Sequence, residues 1–331
     1  MAEVVLQGLS KSFGATRAVS DVSLTIPDGA FVVLLGPTGA GKTTTLRLIA
    51  GLEAPDAGDV RIDGASVVGT APAGRDVAMV FQQYSLYPHM SVRENLAFPL
   101  RSPLMAWAPA RIEAKVAEVA RALRIEHKLD NRATALSGGE MQRVSIGRAL
   151  VRSPRIYLMD EPLSSLDAKL RADLRVELKR IHADLGATFL YVTHDQVEAM
   201  TMATHVGVLD EGRLVQFGPP REIYESPVSA TVAARLGQPR INLLPADAFG
   251  QAKPGAARMG LRPEHVVVGE GGQDATVRRV ERLGDQTRLH LALGPHEIVT
   301  LTDVHTPLVP GSAVTVRPEA PLWFDAAGLR I

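Results

Sequence analysis

The stretch FVVLLGPTGAGKTTTLRLIAG, residues 31–51, decides how this chain reads. Phe31 to Leu35 is a run of five apolar residues, short enough for a strand buried on both faces. GPTGAGKT, 36–43, has the form glycine, four residues, Gly-Lys-Thr, and a helical pattern follows it to a capping glycine at Gly51. Gly36, Gly39 and Gly41, interleaved with Pro37, Thr38 and Ala40, let the backbone fold tightly. Consecutive N–H groups and a helix start then point at phosphate oxygens. Lys42, expected on an exposed loop, places a charge on the β and γ phosphates. Thr43 offers a hydroxyl to Mg²⁺, and Thr44 completes the nucleotide-binding set. A phosphate loop by itself says only that a nucleotide is bound.

RIYLMDEP, 155–162, supplies acids. Its apolar residues read as a second buried strand with Asp160 and Glu161 at the C-terminal end, where open α/β sheets bind ligands. Asp160 is expected to hold Mg²⁺ and Glu161 to act as general base toward an attacking water. Val77 to Phe81 and Phe189 to Thr193 are further short apolar runs, and Val206–Leu209 with Leu214–Phe217 reads as a hairpin around Asp210-Glu211-Gly212. Between about 86 and 153 the pattern turns helical, with Ile112, Val116, Val119 and Leu123 on one face. Leu170, Leu174, Leu178, Ile181 and Leu185 form a second stripe, ended by Gly186.

LSGGE, 136–140, contains a Ser-x-x-Glu capping box, Ser137 to Glu140, that opens an amphipathic helix. The same five residues, just before the acidic strand, resemble the signature motif of ABC transporter ATP-binding subunits. Glu140 stands where that family more usually has glutamine. The resemblance implies that Ser137, Gly138, Gly139 and Glu140 meet ATP held by a second copy of the chain. It also implies that Gln82 touches Mg²⁺ and reports on the membrane partner, and that SSLD, 164–167, crosses the dimer interface with Asp167. His194 would contact the γ-phosphate, and Phe13 would stack on adenine. His205 has no motif context and reads as structural.

GRLVQFGPPREIYESP (212–227), RINLL (240–244) and GLRPEHV (260–266) resemble importer subunits that carry a C-terminal regulatory barrel. The branch moving sugars, polyols and glycerol phosphate is most similar. Relatives moving polyamines, iron or inorganic anions share most of these features, and non-transport ABC ATPases of repair or translation remain an alternative. The fold implied is an α/β phosphate-loop NTPase domain over residues 1–235, with an inserted helical subdomain at about 86–153. An all-β, OB-like regulatory domain of the TOBE type follows over 236–331. The resemblance further implies two membrane permease subunits, docked near Gln82 and the helical segment Tyr84 to Ala97, and an extracytoplasmic solute-binding protein. It places the chain at the cytoplasmic face of the inner membrane, as a peripheral subunit.

Composition agrees with this reading. The 331 residues suggest about two domains. Lysine and arginine balance aspartate and glutamate at 36 each, which argues against nucleic acid as a partner. In the C-terminal part basic residues alternate with acids and aromatics are scarce, so its barrel is not expected to bind oligonucleotides. The chain has no cysteine, which excludes disulfides, thiolate metal sites and a cysteine nucleophile. The N-terminus lacks the pattern of a signal peptide, and no apolar run approaches the ~20 residues of a membrane span, so the chain is expected to be soluble by itself.

Overall fold

Strands in the first part of the chain come in two textures, and each texture makes its own sheet. The computed structural model describes residues 2–103, 105 and 107–331. In chain order these form β1 (Val4–Phe13), β2 (Thr16–Ile26), β3 (Phe31–Leu35), α1 (Lys42–Ala50), β4 (Ala57–Ile62), β5 (Ala65–Ser66) and β6 (Val77–Val80). Then follow α2 (Val92–Ala97), α3 (Pro109–Ala122), α4 (Gly138–Leu150), β7 (Ile156–Asp160), α5 (Ala168–Leu185), β8 (Thr188–Thr193), α6 (Gln196–Met202), β9 (His205–Asp210) and β10 (Arg213–Gly218). β2 alternates buried and exposed residues from Ser20 onward and pairs in the antiparallel sheet β2-β1-β4-β5. One face of such a sheet can remain in water. β3, β7 and β8 are buried at every position and lie in the sheet β10-β9-β3-β8-β7-β6. There β9, β3, β8, β7 and β6 run parallel and β10 closes one edge antiparallel.

A single apolar core joins Val4, Leu6, Val22 and Leu24 of the antiparallel sheet, Leu46 and Ile49 of α1, and Leu34, Leu158 and Leu190 of the parallel one. Elsewhere Phe31, Phe189 and Tyr157 stack at 4.6–5.4 Å between ring centroids, with His182 of α5 packed edge-on at 5.2 Å. Burial of a large apolar side chain in such a core is worth about 1.5–3 kcal/mol. This rigid sheet holds the C-terminal ends of β3, β6, β7 and β8 side by side.

Two helical expectations need correction. Tyr84 to Met90 is not helical; α2 begins only at Val92, where Ser91 and Glu94 form a capping box. Ser85 with φ of 51° and Pro88 oppose an earlier start. Leu185 ends the α5 stripe but is 41% exposed, because the helix stops there and Gly186 turns away in the left-handed region. The α3 stripe buries Ile112, Val116, Val119 and Leu123 as its spacing predicts.

The chain divides into two compact units, Met1–Pro220 and Arg221–Ile331. The change of texture lies further on, near residue 236, and α7 (Pro220–Glu225) and α8 (Ala230–Arg235) occupy the interval. Ala230 and Ala233 of α8 share a small core with Ile241 and Phe324, and the buried Arg262 guanidinium donates to the carbonyls of Tyr224, Ala233 and Leu236. The second unit continues with β11 (Asn242–Pro245), β12 (Arg258–Leu261), β13 (Val266–Arg282), β14 (Thr287–Leu293), β15 (His296–Thr302), β16 (Ala313–Pro318) and β17 (Leu322–Phe324). They form two antiparallel sheets, β11-β12-β17 and β15-β14-β13-β16, an OB-like arrangement. Asn242 ties them together: its amide donates to the carbonyls of Leu261 and Val299 and accepts from the Val299 N–H. β13 is continuous from Val266 to Arg282 although Val268 and Gln273 both pair with Val316, because the residues between bulge out.

Candidate active site

β3 delivers the chain to a loop that only glycine can build at two points. A Cβ on Gly36 would lie 2.3 Å from the Leu209 carbonyl oxygen, and one on Gly41, at φ of 93°, 2.3 Å from that of Ala18. Gly41 is the N-cap of α1, which has no side-chain cap and no acid in its first turn. The early N–H groups of a helix have no internal acceptor, so this end attracts anions. Lys42 is the first residue of that helix, and the expectation of an exposed loop position fails. It is only 4% exposed, its ammonium donating to the carbonyls of Gly36 and Pro37 at 3.0 Å each. The side chain folds back under the loop because a buried ammonium needs acceptors.

Four more groups meet there. The Thr43 hydroxyl donates to Asp160 Oδ1 at 2.8 Å. Burial pushes the Asp160 carboxyl up, with the Thr43 hydrogen bond opposing it. Glu161 Oε1 lies 3.5 Å from the Lys42 ammonium, and Oε2 lies 3.0 Å from His194 Nδ1, where the ring N–H donates to the carboxylate. Glu161 has φ of 41°, and its N–H bonds the Val192 carbonyl of β8 at 3.1 Å, so the backbone is turned as it leaves β7. Lys42, Thr43, Asp160, Glu161 and His194 therefore converge at the C-terminal ends of β3, β7 and β8.

The other named residues stand apart from this cluster. Phe13 ends β1 with its ring 46% exposed and the Lys11 ammonium 5.4 Å from its centroid. Gln82 is exposed two residues past β6. Asp167 caps α5, accepting from Leu170 N at 2.9 Å. Ser137 caps α4 in a complete capping box with Glu140. No hydrogen bond among the described residues joins Ser137 to Glu140 to the phosphate loop. Gly139 is needed for packing, since a Cβ there would lie 2.1 Å from Leu170 Cδ2. His205 stacks on Phe217 at 5.4 Å, in keeping with a structural role.

Sequence reasoning left out Glu198. It is buried in α6 and accepts from the hydroxyls of Tyr191 at 2.8 Å and Thr193 at 2.6 Å, and burial pushes its carboxyl up. Thr193 Oγ in turn accepts from Asp195 N at 3.0 Å, which fixes the turn carrying His194. The spacing Asp195-x-x-Glu198 is that of a helix start, but only the fold shows that Glu198 faces inward.

No group of three or more His, Cys, Asp or Glu side chains is arranged to hold a metal among the described residues. The Thr43 and Asp160 oxygens suit a hard cation that takes its remaining ligands from phosphate and water. No described helix is long and apolar enough to cross a membrane.

Comparison with known proteins gives a consistent picture. A family model described as ABC transporter matches residues 19–164, and one described as TOBE domain matches 259–324. A Ruegeria sp. (strain TM1040) protein named sn-glycerol-3-phosphate import ATP-binding protein UgpC is 43% identical, over 98% of this chain and 97% of its own. The protein of that name from Brucella abortus (strain 2308) is 46% identical over 88% of each. Among solved structures, the ADP conformation of the ATP-binding cassette MJ1267 is similar with a TM-score of 0.61 and 26% identity, covering 70% of this chain and 98% of its own. The cassette MJ0796, solved as a dimer bound to ADP and Pi, matches with a TM-score of 0.59 and 30% identity, over 66% and 99%.

Proposed function

The chain belongs to the ATP-binding subunits of ABC transporters, and from that premise we propose how its residues power import and what is imported. It is the ATP-hydrolysing subunit of an importer. The solute proposed is a glycerol phosphate, on the names carried by relatives that match nearly the whole chain. The imported solute itself would meet the partner subunits, not this chain.

The observation that carries the catalytic reading is the position of Glu161, between the Lys42 ammonium at 3.5 Å and the His194 ring at 3.0 Å. In this reading the N-terminal amides of α1 and the Lys42 ammonium bind the β and γ phosphates. Glu161 takes a proton from the attacking water, and His194 orients both the carboxylate and the γ-phosphate. Mg²⁺ supplies charge neutralisation on the phosphate oxygens, and Thr43 and Asp160, with Gln82, are the groups that would hold it. Phe13 would offer its exposed ring to adenine. Ser137, Gly138 and Gly139 of a second copy would close over the γ-phosphate, with Glu140 and Asp167 at the same interface.

Closure of that pair would move two permease subunits at the inner membrane's cytoplasmic face, with a solute-binding protein on the far side. The permease contact proposed is a groove of about 640 Å³ that begins at the end of β6, lined by Met79, Phe81, Tyr84, Phe98 and Arg148. Its mainly apolar lining, with the two cations Arg148 and Arg152 and one acid, Asp76, suits a short amphipathic segment of a partner.

Glu161→Gln tests the catalytic reading. The amide fills the same space but cannot act as base, so hydrolysis should fall by about 10²–10⁴. ATP affinity should be retained. Steady-state hydrolysis near the parent rate, with binding unchanged, would remove Glu161 from the role of base.

A further inference from the structure

The start of α4 carries a carboxylate at the place where, in the proposed dimer, a triphosphate is to be received. Glu140 is the third residue of that helix. Its Oε2 accepts from the Ser137 N–H at 2.8 Å and the Ser137 hydroxyl at 2.9 Å. Its Oε1 lies 3.0 Å from the ammonium of Lys128, which comes from a separate short turn, Glu126–Lys128. The Ser137 amide, and after it Lys128, hold the Glu140 carboxyl below its ordinary value, so it is charged at neutral pH.

A capping box explains a carboxylate at 140. It does not explain a cation brought from another element to the oxygen that faces away from the cap. Both side chains are about a quarter exposed, 27% for Lys128 and 24% for Glu140. Ion pairs of that kind add little to stability. The charge balance gives a better reason. A helix N-terminus offers roughly half a positive charge, and one unit of negative charge on Glu140 more than cancels it. Without Lys128 the first turn would present net negative charge to a polyanion. With Lys128 in place the turn is attractive again, and neither Glu140 oxygen is free to swing toward phosphate.

We propose that Lys128 is a positioning residue for ATP sandwiching: it pins Glu140 in the cap and cancels its charge, so that Ser137, Gly138 and Gly139 can receive the triphosphate held by the partner copy. This rests on the reading that the segment acts in trans.

The test is a double-mutant cycle in the assembled transporter, reading KM for ATP. Lys128→Ala should raise KM about fivefold or more, the effect of one unscreened like charge within a helical turn of the phosphates. In a Glu140→Gln background the same change should alter KM by less than about twofold, since no charge is left to cancel. Lys128→Arg should keep the parent value. Should Lys128→Ala fail to fold, Lys128→Met carries the same comparison. An equal effect in both backgrounds, or none in either, would overturn the proposal. Mixing Lys42→Ala chains with Ser137→Arg chains tests the underlying reading separately. A mixed dimer holds one intact site and should recover part of the activity; no recovery in proven mixed dimers would remove the trans role itself, whatever the cycle gives.

Discussion

α1 and α4 both have glycine at their starts beside the proposed path of the nucleotide, Gly41 as the cap of α1 and Gly138 and Gly139 in the first turn of α4, yet those starts are finished in opposite ways. α1 starts from Gly41 in the left-handed region, with no side-chain cap and no acid. α4 starts from Ser137 in extended backbone, and its own Glu140 returns to the cap. The first leaves its amides to a ligand, and the lysine beside them is held by loop carbonyls. The second satisfies part of its own end, then brings Lys128 to offset the acid that does so. On the proposed reading, a helix start that must bind phosphate in every copy is left open. On the same reading, one that would meet phosphate only when two copies close can be stable by itself, and its charge must be managed. α6 is a third case: Asp195 caps it, while Glu198 turns away from the cap to bond Tyr191 and Thr193.

The sharpest way to break this contrast is to add one methyl group to each glycine start. Gly41→Ala places a Cβ 2.3 Å from a backbone oxygen at φ of 93°, and neither the carbonyl nor the backbone can give. The left-handed conformation alone costs about 1–2 kcal/mol, and the loop geometry should be lost. ATP binding by titration should fall below detection in the range where the parent saturates. Gly139→Ala instead meets the end of the Leu170 side chain, which can rotate. As an isolated chain it should bind ATP normally and lose about 1–3 kcal/mol of stability, the usual penalty for overpacking. Equal loss of ATP binding in both variants would mean that the two starts do the same work within one chain.

Ser137→Ala probes the self-satisfied end. Removing the cap acceptor should cost about 1 kcal/mol, read as a lower denaturant midpoint with an unchanged slope. ATP affinity of the isolated chain should not change. A shift in that affinity would show α4 acting on the nucleotide in cis.

The smallest effect is expected at α6. Burial raises the Glu198 carboxyl above its ordinary value of 4.5, so the folded state holds the proton longer than the unfolded one. Stability from this group is fully present below the unfolded value and is lost as pH rises through the folded one. Glu198→Gln keeps an acceptor for both hydroxyls and removes that dependence. Its melting temperature should match the parent's at acid pH, where the carboxyl is protonated in both states, and exceed it increasingly as pH rises above 4.5. A variant less stable than the parent at neutral pH would mean that the carboxylate's charge is used by the fold.

Sequence alone determined the elements whose signal is local. The phosphate loop was legible because Gly36, Gly41 and Lys42 stand at a spacing that few backbones other than a strand–loop–helix require. Asp160 and Glu161 followed from an apolar run with two acids at its end, and the Ser137 capping box from residues three apart. The α3 stripe was legible from its period. Tertiary structure decided what depends on neighbours distant in the chain. Lys42 is buried because the loop carbonyls fold over it, and Glu161 meets His194 because β7 and β8 are adjacent. Tyr84 to Met90 is a loop because the only strong helix start in that stretch is Ser91. Lys128 reaches Glu140, and Glu198 reaches Tyr191, only once separate elements pack together. Period and spacing report how a segment treats its own backbone, whereas charge and hydrogen bonding between segments are set by which ends the sheet brings into contact.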